Sequence, residues 1–198
     1  MNALFNFFDK LSFLNTTLYF YRKHFLTITG LGFMAAFGRV IQIGGFGEIT
    51  QAVNIILEIV VESARLLLIL YALGLANIKT GIRRIKRFFT HKKNKKVNWA
   101  LALENLKKQW QVVILNFLAF ALIAWVLNYI IDVLAYETCL YFNLKKDGLL
   151  APTSSEWTII LFFKNLSVIP FTLLFETLFV LWLTNKIRDY KRPNFSNQ

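Results

Sequence analysis

The sequence predicts an all-α, multi-pass transmembrane protein: a helical bundle with four spanning helices and two amphipathic interfacial helices. Composition is the first reason, because hydrophobic residues make up 56% of the 198 residues and the mean hydropathy is +0.48. A globular chain is roughly 45–50% apolar even when glycine is counted. A chain this short cannot bury the excess in one core, so it needs lipid around it.

Four long apolar stretches are the second reason. A bilayer core needs about 20 helical residues, and lipid accepts only helices or closed barrels. The stretches lack the strict alternation of barrel strands, which favours helices. They cover residues 25–43, 52–78, 111–135 and 157–184, and residues 1–198 are expected to form a single membrane domain.

Two segments have the pattern of helices that lie in the headgroup plane. Residues 2–20 place apolar side chains along one side of a helix, namely Leu4, Phe8, Leu11, Leu14 and Leu18. Residues 98–110 do so with Trp99, Leu103, Leu106 and Trp110. The other connections are a basic cytoplasmic segment at 79–97, an outer loop at 136–156 and a cytoplasmic tail at 185–198.

The distribution of Lys and Arg predicts the orientation, because basic connections stay in the cytoplasm under the positive-inside rule. Three basic residues precede the first span, eleven lie between positions 79 and 108, and four follow the last span. The outer loop has two and the turn between the first two spans has none. Both termini are therefore expected in the cytoplasm, most simply of a bacterial inner membrane. A re-entrant pair formed by the first two helices would give the same distribution.

Polar side chains form a stripe along the second span. At 100° per residue, Gln51, Asn54, Glu58, Glu62 and Arg65 share one side of the helix. Charged groups facing acyl chains cost roughly 2.5–3.5 kcal/mol at the centre of the membrane, so the stripe is expected to face protein or water.

Charged residues on the other spans could meet this stripe, and they are Arg39, Asp132, Lys164 and Glu176. A similar depth predicts a network of Arg39, Glu58, Asp132 and Lys164. The near balance of three basic and four acidic residues favours ion pairs that fix helix packing. The alternative is a polar path for an ion, a proton or a small solute.

The segment from Lys79 to Lys96 has nine basic residues and no acidic one. Such polybasic stretches are attracted to anionic lipid headgroups, and lipid is the expected partner. Binding of single-stranded nucleic acid is the alternative, which we do not expect. The contact residues would be Lys79, Arg83, Arg84, Lys86, Arg87, Lys92, Lys93, Lys95 and Lys96.

Motifs for catalysis or cofactor binding are missing from the sequence. His24 and His91 are isolated, Cys139 is the single cysteine, and no HExxH, CxxC or P-loop pattern occurs. We therefore expect no catalytic residue, no metal, no cofactor and no enzymatic activity. Pro170, near the centre of the fourth span, predicts a packing kink, with a broken helix at a substrate site as the alternative.

These observations favour a non-enzymatic subunit, accessory or immunity-type factor that acts through helix–helix and lipid contacts. Its protein partner would be a second copy, giving a homo-oligomer, or another membrane protein. The first alternative is a small oligomeric transporter or channel protomer with a polar path. The second is a membrane-tethered nucleic-acid-binding or defence-system accessory.

Overall fold

The computed structural model describes residues 11–90 and 92–187, and these ranges contain helices and no strands. The predicted all-α class is confirmed. In chain order the helices are α1 (Ser12–Lys23), α2 (Phe25–Gln42), α3 (Gln51–Leu73), α4 (Ile78–Thr90), α5 (Lys92–Lys108), α6 (Trp110–Tyr136), α7 (Leu140–Lys146), α8 (Trp157–Leu166) and α9 (Val168–Leu183).

Three helical segments of the described chain are long and apolar enough to cross a membrane. They are Phe25–Gln42, Trp110–Tyr136, and α8 with α9 taken together as Trp157–Leu183. The 23 residues of α3 would extend about 34 Å at 1.5 Å per residue. Its charges at Glu58, Glu62 and Arg65 keep it out of this group.

The chain forms two compact units. The first comprises Met1–His24, Ile69–Ala121 and Leu173–Gln198, and the second comprises Phe25–Leu68 and Leu122–Thr172. Residues 2–10 of the predicted N-terminal helix, His91 and residues 188–198 of the predicted tail lie outside the described residues.

In the second unit, α2 packs along α8. Gly32 makes this approach close, because a Cβ there would lie 3.1 Å from the backbone oxygen of Asn165. The segment predicted as the outer loop contains α7, and its Leu150 is buried with Ile131 and Ile159. The loop therefore closes over an apolar cluster.

In the first unit, α1 packs through part of the predicted apolar side together with a residue outside it. Phe13, which breaks the predicted pattern, is fully buried against Phe175 and Trp182. Leu18, assigned to the apolar side, is 42% exposed. Leu11 and Leu14 of the predicted apolar side are buried as well, so the buried surface of the helix is wider than predicted and includes Phe13.

The predicted fourth span is interrupted at Ser167, where the backbone leaves helical geometry (φ −125°, ψ −71°). Pro170 falls in the first turn of α9, where its missing N–H is tolerated. The prediction placed the kink at the proline itself, whereas the break lies one turn earlier. The second predicted span also ends early, at Leu73, because Leu75 and Ala76 adopt left-handed conformations.

The predicted basic segment 79–97 is helical rather than an irregular connection. It forms α4 and the beginning of α5. In α4, isoleucines at 78, 82 and 85 share one side, and Lys79, Arg83 and Lys86 lie away from it. The predicted interfacial helix 98–110 belongs to the longer α5 and to the first residue of α6.

Candidate functional site

A tight turn between α2 and α3 brings two polar helix faces together. Gly44 and Gly47 adopt positive φ angles of 76° and 115°, which glycine reaches without steric cost. Gly45 donates its N–H to Val40 O at 2.9 Å, and its own carbonyl accepts the N–H of Ala151 at 2.8 Å. The turn is thereby fixed at both ends.

Gly38 allows the two helices to approach. A Cβ at this position would lie 2.5 Å from Cγ2 of Val61, a fully buried residue of α3. Small residues at such crossings let helix backbones approach closely. The close approach places Arg39, the next residue of α2, opposite the charged side of α3.

Arg39 joins two glutamates of α3. Its Nη1 lies 2.7 Å from Oε2 of Glu58, and its Nη2 lies 3.0 Å from Oε1 of Glu62. The glutamates are one helical turn apart, so one guanidinium can contact both. Arg65 adds a third ion pair, from its Nη1 to Oε1 of Glu62 at 2.6 Å.

Amide groups extend this chain of contacts at both ends. Gln42 donates its Nε2–H to Oδ1 of Asn54 at 3.0 Å and to Oε2 of Glu58 at 2.9 Å. At the other end, Arg65 donates from Nη2 to Oδ1 of Asn165 on α8 at 2.8 Å. We call the seven linked residues the charged ribbon: Arg39, Gln42, Asn54, Glu58, Glu62, Arg65 and Asn165.

Exposure differs between the cations and the anions of the charged ribbon. The side chains of Arg39 and Arg65 are 23% and 22% exposed, whereas those of Glu58 and Glu62 are 49% and 52% exposed. The two arginines and two glutamates cancel in charge. The ribbon is therefore neutral overall, but about half of each glutamate side chain remains exposed.

The structure brings together five of the nine residues predicted for the intramembrane network. Asp132 and Lys164 belong to the same unit, but neither makes a hydrogen bond or ion pair within it among the described residues. The charged ribbon of the described second unit thus contains Arg39 and Glu58 of the predicted four-residue network, but not Asp132 or Lys164. Gln51 and Glu176 are exposed and also lie outside the charged ribbon.

Gln42 and Asn165 are the two members that sequence reasoning missed. Gln42 lies three residues after Arg39, which places it on the same side of α2. Asn165 is next to Lys164, and a one-residue step turns the helix face by 100°. Asn165 is 1% exposed. The sequence signal available for it was a polar side chain within an otherwise apolar helix.

A second candidate surface lies on α4 and α5 of the first unit. Lys79, Arg83, Lys86 and Arg87 are exposed, whereas Arg84 is partly buried. Lys92, Lys93, Lys95 and Lys96 fall within α5.

An apolar face of α5 and the start of α6 accompanies these cations. Trp99 is 58% exposed, Leu103 50%, Leu106 38% and Trp110 55%. These are the four apolar side chains of the predicted interfacial helix, and its location at the membrane surface stays a prediction.

Within residues 11–90 and 92–187, no group of three or more His, Cys, Asp or Glu side chains is placed to hold a metal ion. His24 packs on Phe20 with ring centroids 4.6 Å apart, and its Nδ1 lies 2.9 Å from the hydroxyl of Tyr71. The first contact is aromatic packing and the second is a hydrogen bond, and both lie within the first unit. The candidate surfaces are thus the charged ribbon and the basic helices.

The chain matches no protein-family model, no curated protein sequence and no solved structure.

Proposed function

We propose that this protein is a non-enzymatic, four-span subunit or accessory protein of a membrane complex, with both termini in the cytoplasm. The fourth span in this proposal is α3. Its two glutamates are neutralised by Arg39 and by its own Arg65, which lowers the cost of placing them in hydrocarbon. An even number of spans also agrees with the concentration of Lys and Arg in the cytoplasmic connections.

The uncovered carboxylate surface of Glu58 and Glu62 carries the proposal that the protein acts by contact. Acyl chains offer carboxylates no hydrogen-bond donor, so half-exposed glutamates in a bilayer need another cover. A transmembrane helix with hydroxyl, amide or small side chains would supply donors without adding charge. Because the charged ribbon is already neutral, an uncharged partner helix fits it better than a charged one.

Photo-crosslinking in intact membranes tests this proposal. A photoreactive amino acid replaces Ile59, which is 62% exposed and lies on α3 close to both glutamates. We expect capture of one protein, and the mass of the product separates a second copy of this chain from another subunit. The matched control places the same group at Leu122 of α6, which is 61% exposed and distant in sequence from any acidic residue.

Capture at Ile59 with none at Leu122 supports a partner on the charged ribbon. Equal capture at both positions, or none at either, contradicts it. The captured protein should also be lost when Glu58 and Glu62 are both replaced by Gln, provided that the chain still inserts. Insertion is checked by its resistance to carbonate extraction.

The break between α8 and α9 favours a second candidate, an oligomeric transporter. Asn165, which accepts from Arg65, lies two residues before Ser167, where the helix stops. Interrupted helices mark substrate sites in transporters. In proteoliposomes, this candidate requires flux of an ion or small solute that Glu62→Gln abolishes, whereas the contact role predicts no flux from the wild-type chain.

A further inference from the structure

A cavity of about 210 Å³ opens among the helices of the first unit. Most of its wall is aliphatic, from Leu73, Ile85, Val180 and Leu181. The polar lining residues are Arg84, Asn98, Thr184 and Lys186, and no acidic residue contributes. Arg84 is partly buried and Lys186 is exposed, so the two cations stand at the open edge of an apolar cavity, where an anion can reach both.

Hydrogen bonds to backbone carbonyls hold the guanidinium of Arg84 and fix the main chain at Lys186. Arg84 donates from Nη1 to Leu73 O, at the end of α3, at 2.6 Å. Lys186 donates its backbone N–H to Leu181 O at 2.8 Å. Asn105 of α5 donates to Leu183 O at 2.7 Å, which fixes α5 against the end of α9. The walls are therefore built from helix ends that hydrogen bonds tie together.

Neither cation has an acidic partner in the described part of the first unit. The side-chain ammonium of Lys186 makes no hydrogen bond or ion pair within the described part of the first unit. Burial, and then the nearby positive charge of Arg84, lower the pKa of Lys186 below its ordinary value. An anion between the two side chains would relieve their repulsion and replace the water that each has lost.

We propose that this cavity binds the phosphate headgroup of one anionic phospholipid, with Arg84 and Lys186 on the phosphate and the glycerol and first methylene groups against the aliphatic wall. Basic pockets at the cytoplasmic ends of transmembrane helices bind such headgroups. Val180 is 52% exposed, so acyl chains can leave the cavity along α9. Free phosphate satisfies the cations but not the aliphatic wall, which is why the lipid is the better occupant.

This inference rests on the membrane location and not on the partner proposed for the charged ribbon. It is also distinct from the general attraction of basic helices to a charged surface. Loss of Arg83, Lys86 or Arg87, which are exposed, weakens surface attraction. Loss of Lys186 removes a lining residue of one defined cavity.

Native mass spectrometry of the full chain in mild detergent tests the proposal, with phosphatidylglycerol, phosphatidylcholine or inorganic phosphate added in parallel. We expect one tightly held phosphatidylglycerol and about tenfold weaker retention of phosphatidylcholine. Lys186→Gln should weaken retention of phosphatidylglycerol about tenfold. The matched control is Lys107→Gln, which removes an exposed cation of α5 that does not line the cavity and should leave retention unchanged.

Lys186→Arg keeps the charge and should restore binding, which separates loss of the anion site from loss of the fold. Arg84→Gln is a weaker test, since Arg84 also bonds to Leu73 O. Three results would overturn the inference: equal retention of the two phospholipids, an equal loss in Lys107→Gln, or displacement of phosphatidylglycerol by inorganic phosphate at a similar concentration. Failure of crosslinking at the charged ribbon would leave this result unaffected.

Discussion

Arg39 carries most of the connectivity of the charged ribbon. It contacts Gln42, Glu58 and Glu62 through its two terminal nitrogens. A guanidinium suits this role because its donors are fixed in a plane and can contact two carboxylates at once. Removal of Arg39 leaves both glutamates without their interhelical cation.

We expect strong coupling between Arg39 and Glu58. The single changes Arg39→Gln and Glu58→Gln, and the double change, should give a coupling energy of about 0.5–3 kcal/mol, as for residues in direct contact. The measurement is the free energy of unfolding in mixed micelles titrated with denaturing detergent. Each variant leaves a polar side chain of similar length, so packing changes are small.

Glu48→Gln is the matched control for this cycle. Glu48 is exposed in the turn before α3 and belongs to no ion pair of the described chain. Its effect should add to that of Arg39→Gln within about 0.5 kcal/mol. Coupling of the same size for both glutamates would contradict a specific contact.

The partial burial of His24 predicts that the stability of the protein depends on pH. Burial, and then the charge of Lys23, lower the pKa of His24 below its ordinary value of 6.5. Well above pH 6.5, His24 is neutral in both the folded and the unfolded chain, so its ionisation does not affect stability. As the pH falls below 6.5, the unfolded chain takes up the proton before the folded chain does, so stability decreases until the pH is below the folded-state pKa.

Thermal unfolding between pH 7.5 and pH 5 measures this dependence. His24→Asn should flatten the decrease that begins near the ordinary pKa of histidine. His91→Asn, a change at the other histidine of the chain, serves as the control and should keep the wild-type slope. A slope that survives in His24→Asn would place its origin at another group.

Glycines on α2 determine how closely that helix packs, and two of them make a matched pair. A Cβ at Gly38 would collide with Val61, whereas a Cβ at Gly30 has nothing within 4 Å. Gly38→Ala should destabilise the protein by about 1–3 kcal/mol, as overpacked cores do. Gly30→Ala should be neutral or stabilise by up to about 1 kcal/mol, since alanine is the better helix former.

Thermal unfolding in one detergent compares the two glycine variants directly. The ion pairs of Arg39 should also weaken in Gly38→Ala, because displacement of α2 from α3 lengthens them. A Gly38→Ala variant as stable as Gly30→Ala would mean that α2 and α3 are not in close contact at this point.

The helices themselves were predictable from local pattern, but their packing partners were not. Apolar length gave the bounds of α2 and α6 closely, because the need to cross lipid depends on length and hydropathy alone. The polar stripe of α3 followed from the fixed 100° turn per residue. The depth of a residue in the membrane, however, does not indicate on which side of its helix the residue lies. Depth therefore predicts Lys164 as the partner on the fourth span, whereas Asn165 makes the contact with Arg65.

Tertiary packing also decided where helices are buried and broken. Phe13 is buried because the rings of Phe117 and Phe175 surround it, and these come from residues about a hundred or more positions away. Pro170 has no N–H to donate to the carbonyl four residues earlier. The helix is therefore interrupted on the N-terminal side of the proline, where α8 ends and α9 begins. Neither result follows from the pattern within a single helix.

At the scale of the whole molecule, the proposed orientation predicts where Cys139 can be reached. Cys139 is exposed and would lie outside the cytoplasm in the four-span arrangement. A membrane-impermeant maleimide should label it in intact cells, and Cys139→Ser should abolish the labelling. In that background, a cysteine at Lys95 should react only after the membrane is permeabilised.

An odd number of spans gives a different result. If α3 did not cross, the segments on either side of it would lie in the same compartment. A cysteine at Glu48 and one at Lys95 would then give the same result in intact cells, either both labelled or both protected. Protection of Lys95→Cys with labelling of Glu48→Cys requires that α3 separates them.

The cancellation of charge within the α2–α3 hairpin bears on how the protein responds to membrane potential. One elementary charge that crosses the full potential changes energy by about 2.3 kcal/mol per 100 mV. Two arginines and two glutamates held within a few ångströms of one another feel opposing forces, so the hairpin as a unit is insensitive to voltage. Replacement of Arg39 by a neutral residue would give it a net negative charge, and with that a tendency to shift when an energised membrane is depolarised.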